Sequence, residues 1–343
     1  MRIRPFHMMA ALVLVMAGSM VLSACRKDTA QISETGGVER AVVQQSAETL
    51  ETLETEPETE PVETVPVITE PNASLVDGKY VYAIPEPDRS GLSDLSSVNA
   101  LSKALFSDAN GTDWYYGKTE RDLTTGEVKY VWDRSADTLA LLDKYDAVYR
   151  KNEDEKVVYF TFDCGYENGW TEPILDVLKE KNVPGLFFVV GHYVETAPDI
   201  IKRMYDEGHL VGNHTYTHPN MATGVDADKF IEEITSLENA LQDIYPDAPP
   251  TLYWRPPYGA CNEWTLAMAE KMGLTTVLWS WAHYDYVEDE QPDVAASLEK
   301  AKKGLHNGAV YLFHCVGETN PKILGDLIDY IRGEGYEIRP ICN

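Results

Sequence analysis

The stretch VVYFTFDCGYENGWTEPILDVLKEKN, residues 157–182, decides the fold. Its first six residues, Val157–Phe162, are an unbroken run of β-branched and aromatic side chains, the pattern of a strand buried on both faces. The period then changes. Over 171–182 a threonine cap, an acid and a proline in the first turn, and apolar side chains at Ile174, Leu175 and Leu178 predict a helix. Residues 185–190 (GLFFVV) read as the next strand. The alternation continues to the end of the chain. Helices are expected over 198–207, 226–244, 263–272, 292–303 and 323–331. Strands are expected over 210–213, 252–255, 275–281, 309–313 and 336–341. Repeated strand–helix units of this length predict an α/β domain over residues 151–343. Its parallel strands, about seven, are read as a distorted (β/α) barrel rather than a doubly wound sheet. Residues 76–150 carry Trp114, Tyr115, Tyr116 and Trp132, and are expected to pack on the barrel rather than fold alone.

A barrel of this kind places its chemistry where strands end, and five successive strand ends here carry reactive side chains. Asp163 and Cys164 follow the first strand. His214 and His218 stand four apart in NHTYTH, and Arg255 opens RPPYG, which contains Tyr258. Asp285 lies just past Trp279-Ser280-Trp281, and His314 closes the strand Tyr311-Leu312-Phe313. Taken singly, each has a structural explanation: a cap, a rigid turn, a core histidine. Together, two histidines and an acid are the minimum for a catalytic metal with an open position, and a spare carboxylate and histidine could serve as base and acid. The four-residue offset should turn His214 and His218 the same way, as on one helical turn.

The 343 residues hold 29 Lys+Arg against 56 Asp+Glu, a net charge of −27. Such a surface repels phosphate backbones and argues against nucleic acid as a partner. Five cysteines do not make a disulfide scaffold in a chain this long. Residues 1–24 contain Arg2 and Arg4, no acid, and an apolar run from Met8 to Leu22. A membrane span needs about 20 apolar residues, so this run reads as a signal-peptide core. It ends in Leu22-Ser23-Ala24-Cys25, which resembles a bacterial lipobox; the resemblance implies cleavage before Cys25 and lipidation of its thiol. Residues 25–75 have no aromatic side chain and cycle through Glu, Thr, Pro and Val between Glu51 and Pro71. They are expected to be a solvated acidic tether that holds the folded domain away from a membrane, outside the cytoplasm.

The ordered set TFDxG, HTxxH, RPPYG, an Asp after the fifth strand and a final strand ending in His resembles the NodB-homology polysaccharide deacetylases, carbohydrate esterase family 4. Residues 161–171 (TFDCGYENGWT) resemble its delta-lactam-biosynthetic subgroup, which de-N-acetylates N-acetylmuramic acid of peptidoglycan; the resemblance implies that the freed amine can close a lactam on the muramic lactyl group, which requires prior removal of the stem peptide. The likeness covers roughly residues 150–343. It implies a divalent metal, with zinc expected, and peptidoglycan glycan strands as substrate. By position, Asp163 matches the general base and Arg255 the arginine that holds it. His214 and His218 match the metal ligands, and Tyr258 the residue whose backbone N–H receives the oxyanion. His314 matches the general acid and Asp285 the carboxylate that orients it. N-acetylglucosamine in peptidoglycan or chitin, O-acetyl xylan, or plain glycan binding without catalysis remain as alternatives.

The sequence departs from the family pattern at Cys164, where the family carries a second, metal-binding aspartate. Three outcomes stay open: Cys164 as a thiolate ligand, a two-histidine site completed by water, or a disulfide to Cys315. Tyr286 stands where a tryptophan usually follows the aspartate and is read as a packing change. Tyr166, Trp170 and Tyr284 are candidates for stacking on sugar rings. Trp279 is assigned to the core, and Trp281, two residues on, is expected to share its direction. His192 and His283 are read first as hydrogen-bonded structural residues, and His209 and His306 as surface or strand-start residues.

Overall fold

The computed structural model describes residues 73–104, 118–121, 128–131 and 136–342. The leader, Cys25, the tether up to residue 72 and the aromatic residues Trp114, Tyr115, Tyr116 and Trp132 lie outside the described residues. The described residues all belong to one compact unit. It opens on a hairpin of β1 (Ala73–Val76) and β2 (Lys79–Tyr82). Asp77 and Gly78 turn it, both with positive φ, as a two-residue turn matched to strand twist requires. β1 includes residues 73–75, read from the sequence as part of the tether, and Ala73 and Tyr80 of the hairpin are buried. A short helix α1 (Ser96–Asn99), a second hairpin of β3 (Lys118–Arg121) and β4 (Val128–Val131), and helix α2 (Ala136–Lys144) follow.

The repeating part then runs β5 (Val157–Cys164), α3 (Thr171–Glu180), β6 (Leu186–Val189), α4 (Gly191–Thr196), α5 (Pro198–Asp206), β7 (Leu210–Asn213) and α6 (Ala227–Ile244). It continues through β8 (Tyr253–Trp254), α7 (Glu263–Lys271), β9 (Thr275–Thr276), β10 (Trp281–Ala282), α8 (Val294–Lys303), β11 (Ala309–His314), α9 (Thr319–Gly333) and β12 (Glu337–Ile338). Seven parallel strands lie in the order β10-β11-β5-β6-β7-β8-β9, and β12 pairs with the start of β5. The sheet curls into the expected (β/α) barrel-like fold.

No ladder joins β9 to β10 among the described residues; the chain just before the repeats fills that place. The Val148 N–H donates to Thr276 O at 2.8 Å, Leu278 N–H donates back to Val148 O at 2.8 Å, and Lys151 N–H reaches Gly308 O at 3.0 Å. The N-terminal extension therefore contributes to the sheet as well as covering it. It is also tied down elsewhere: Tyr82 Oη donates to Gly208 O at 3.1 Å, and Arg89 pairs with Glu238 at 2.5 Å.

The sheet separates two apolar layers. Phe160, Phe162, Phe187, Tyr311 and Phe313 pack under α3, α5 and α9, whereas Tyr159, Leu186, Phe188, Val310 and Leu312 fill the inside of the curl. Trp279 and Trp281 do not share a direction. Trp279 joins the inner layer and Trp281 the outer one, against Gly304 at the end of α8. The predicted strand 275–281 is in fact two short strands, and the bend between them breaks the two-residue period.

Candidate active site

β5 decides which of its two terminal polar residues faces the site. Tyr159 belongs to the inner layer and Phe160, Phe162 and Cys164 to the outer one, so Thr161 and Asp163 point inward. Asp163 is buried at the inner mouth, where Arg255 Nη1 donates to its Oδ1 at 2.6 Å. Arg255 is itself fully buried. Its remaining N–H groups reach Thr161 Oγ1 at 2.8 Å, Val277 O at 3.0 Å and Leu278 O at 3.0 Å. Its guanidinium lies 4.3 Å from the Phe188 ring centre. Phe188 needs Gly212 beside it, since a Cβ there would sit 2.6 Å from the ring. Burial alone would push the Asp163 carboxyl up. The Arg255 guanidinium, with His214 and His314 beyond it, instead holds it below its ordinary value of 3.8.

His214 and His218 come together, though not on a helical turn. Residues 214–218 form an irregular loop in which Thr215 (φ 68°) and His218 (φ 57°) are left-handed. Asn213 Oδ1 accepts the Thr215 N–H at 2.9 Å and Thr215 Oγ1 accepts the His218 N–H at 3.1 Å. The imidazoles meet edge to face with ring centres 4.8 Å apart. Glu233 of α6 anchors this loop, taking the Thr217 N–H and Oγ1–H at 2.7 Å each while paired with Lys229 at 3.0 Å. Sequence reading missed Glu233. Its signal was a carboxylate on the buried stripe Phe230, Ile234, Leu237 and Leu241.

Burial pushes the His214 imidazole down to about 4, against the opposing pull of Asp163. The ring is thus neutral at ordinary pH, and its Nδ1 lies 2.8 Å from Arg255 O, which takes the Nδ1 proton. That leaves a lone pair on Nε2, 3.6 Å from Asp163 Oδ2. Burial also lowers His218. Two neutral imidazoles at one mouth suit a divalent ion. His214 and His218 would supply two nitrogens to such an ion, with Asp163 Oδ2 3.6 Å from His214 Nε2. Cys164 does not join them. It follows Asp163 in the strand, so it points to the opposite face, where its sulfur lies 3.0 Å from that of Cys315. Both are free thiols in this structure, and burial pushes the Cys164 thiol well up, away from the thiolate a metal needs.

His314 is the ladder partner of Asp163 on the neighbouring strand. Its Nδ1 lies 2.8 Å from Asp285 Oδ1, and its backbone N–H donates to Oδ2 at 2.9 Å. Burial would lower this imidazole; Asp285 raises it above 6.5. Burial would likewise raise Asp285, yet His314 and His283 hold it far down. Sequence reading left Asn320 out altogether, and nothing in GETNPK singles it out; it touches Asp285 directly, as described below.

Tyr258 has φ 63° within the turn Pro257–Gly259, a left-handed conformation that costs a non-glycine residue about 1–3 kcal/mol. Its exposed ring packs edge-on to His218 at 4.8 Å. Tyr166 and Tyr284 are exposed, and Tyr166 Oη donates to Glu288 at 3.3 Å. Trp170 is half-buried at the residue preceding α3. Tyr286 does more than pack: its half-exposed ring stands edge-on to His314 at 5.5 Å and beside Tyr284 at 4.6 Å. His192 is exposed on α4, contrary to a structural role, while His209 and His306 are buried rather than on the surface. His209 Nδ1 accepts the Gly185 N–H at 3.1 Å at the start of β7.

Residues 150–277 match the family model for polysaccharide deacetylase. The peptidoglycan-N-acetylmuramic acid deacetylase PdaA of Bacillus subtilis is 41% identical over 202 residues, covering 59% of this chain and 76% of that protein. The solved structure of PdaA, a family 4 carbohydrate esterase, superposes with a TM-score of 0.60 at 37% identity, over 66% of this chain and 94% of that one. This chain belongs to the polysaccharide deacetylases. It is a hydrolase of the NodB-homology type, and deacetylases of this family are generally metal-dependent. The peptidoglycan-N-acetylglucosamine deacetylase PgdA of Listeria monocytogenes is 32% identical over 187 residues, 54% of this chain and 38% of that protein.

Proposed function

We propose that this polysaccharide deacetylase removes the N-acetyl group from N-acetylmuramic acid in peptidoglycan strands. One observation carries the mechanism: Asp163 on its arginine and His314 on its aspartate are ladder partners, so a base and an acid flank one mouth. Asp163, kept ionised by Arg255, takes a proton from water as its oxygen adds to the acetyl carbon. The Tyr258 N–H receives the developing oxyanion; losing such a donor costs about 3–4 kcal/mol of barrier. His314, kept protonated by Asp285, gives its proton to the amine nitrogen as the C–N bond breaks, yielding acetate and a free amine. Lewis acidity at the acetyl carbonyl would come from a divalent ion held by His214 and His218. Imidazole donors suit zinc.

The choice of muramic acid rests on the higher identity to PdaA than to the peptidoglycan-N-acetylglucosamine deacetylase PgdA. Tyr166, Tyr284 and Trp170 are proposed to stack on sugar rings, since amphipathic rings offer an apolar face and a polar edge. The lipobox-like Leu22–Cys25 and the acidic segment behind it support anchoring through a lipid on Cys25 outside the cytoplasm, where the substrate lies. The test is acetate release by the purified full chain from peptide-free glycan strands, first with chelator and then with zinc restored. Mass spectrometry of the products should place the acetyl loss on muramic acid. Loss confined to glucosamine would replace the substrate, and no release from folded, zinc-loaded protein would sink the reading.

A further inference from the structure

Asp285 is fully buried, and its carboxylate has more partners than His314 alone. Asn320, at the start of α9, donates from Nδ2 to Asp285 Oδ2 at 2.6 Å and to the His314 carbonyl at 2.9 Å. His283 Nε2 lies 2.9 Å from Asn320 Oδ1 and 3.3 Å from Asp285 Oδ2. The His283 ring cannot easily turn, being stacked on Trp281 at 5.1 Å and set edge-on to Phe313 at 6.1 Å. Its Nδ1 is buried and has no hydrogen-bond partner, whereas Nε2 faces the oxygens of Asn320 and Asp285, so Nε2 is the nitrogen that donates.

Building on the deacetylase mechanism above, we propose that His283 and Asn320 are positioning residues for the acid dyad Asp285–His314. An asparagine amide can sit either way round, and the two orientations exchange which end meets Asp285 and the His314 carbonyl and which end meets His283. With oxygen facing the carboxylate, two acceptors would collide. The His283 N–H removes that choice by holding Asn320 Oδ1, which turns the NH2 onto both Asp285 and the strand end bearing His314. The carboxylate is then fixed in the plane that takes the His314 Nδ1 proton, leaving Nε2 for the departing amine. A misplacement of about 1 Å at such a site costs about 100-fold in rate.

A core role and a positioning role separate by leaving group. Departure of an amine needs the proton from His314, whereas 4-nitrophenolate leaves 4-nitrophenyl acetate without one. In the zinc-loaded full chain, His283→Phe keeps the stacked ring and removes the N–H. It should lower kcat/KM on the acetylated glycan about 10-fold or more while lowering that on the ester far less. His283→Gln, which restores a donor near Nε2, should recover most of the lost ratio, and Asn320→Ala should repeat the His283→Phe pattern. A far-downfield proton resonance of the His314 Nδ1–H should be present in the parent protein and shifted or lost in His283→Phe, whatever the substrate. Equal losses on amide and ester, or an unchanged resonance, would overturn the positioning role alone. Parent protein that cleaves the ester but no acetylated glycan would overturn the deacetylase reading, and this one with it.

Discussion

Arg255→Met tests how Asp163 is held ionised. The substitution keeps an unbranched apolar side chain in a fully buried site but removes every donor. Four hydrogen bonds go, at 2.6 Å to Asp163, 2.8 Å to Thr161, and 3.0 Å to each of the Val277 and Leu278 carbonyls. Stranding one partner of a buried ion pair costs about 3–5 kcal/mol. Each stranded carbonyl adds about 1 kcal/mol, the low end for an unsatisfied buried acceptor. At roughly 2–4 °C per kcal/mol for a domain of this size, the total of about 5–7 kcal/mol should make thermal denaturation begin about 10–30 °C lower near pH 7.

The penalty must also depend on pH. In the parent protein the folded Asp163 value lies below 3.8, so its stabilisation is present above that value and lost as pH falls through the folded value. Without the guanidinium, burial dominates and lifts the folded value above 3.8. Stability is then lost as pH rises through it. The difference between the two proteins should therefore widen from about pH 4.5 to about pH 7.5. In the background of Asp163→Asn the charge is gone, and Arg255→Met should cost about 3 kcal/mol less. Thermal melts of the four chelated full-length proteins at both pH values make the measurement. A penalty that is the same at both, and additive in the double variant, would refute the argument.

Activity should follow a bell in pH. It should fall on the acid side as Asp163 protonates, below its ordinary value, and on the alkaline side as His314 loses its raised proton; Asp285→Asn should move the alkaline limb of kcat/KM downward. Glu233→Gln frees the Thr217 anchor of the histidine loop, so divalent-ion affinity by calorimetry should fall about 10–100-fold with little change in fold. Cys164→Ser should leave that affinity within about threefold, because the side chain faces away from both imidazoles; a larger loss would restore Cys164 as a ligand.

Order and period along the chain carry far. Val157–Phe162, the helix at Thr171 and their repeats already imply parallel strands with polar residues at their ends, since a parallel strand buried on both faces must be apolar throughout. The residues of NHTYTH and RPPYG could be picked out because each follows such a strand. Local pattern failed where the backbone leaves regular geometry. His214 and His218 converge through two left-handed residues rather than a helical turn, and the bend after Thr276 sends Trp281 outward.

What the sequence determined by itself was the fold class, the family likeness, and which residues stand at strand ends. These depend on neighbours within a few positions, and the hydrophobic period records them directly. Tertiary structure alone decided which of those residues meet. The pairing of β5 with β11 set Asp163 opposite His314, and the alternation within β5 turned Cys164 away from Asp163 and onto Cys315. The same packing carried Glu233 to the histidine loop over 16 residues, and Asn320 to Asp285 and His283 over 35 and 37 residues. A buried carboxylate or amide finds its partner through the whole packed core, and no local pattern encodes that choice.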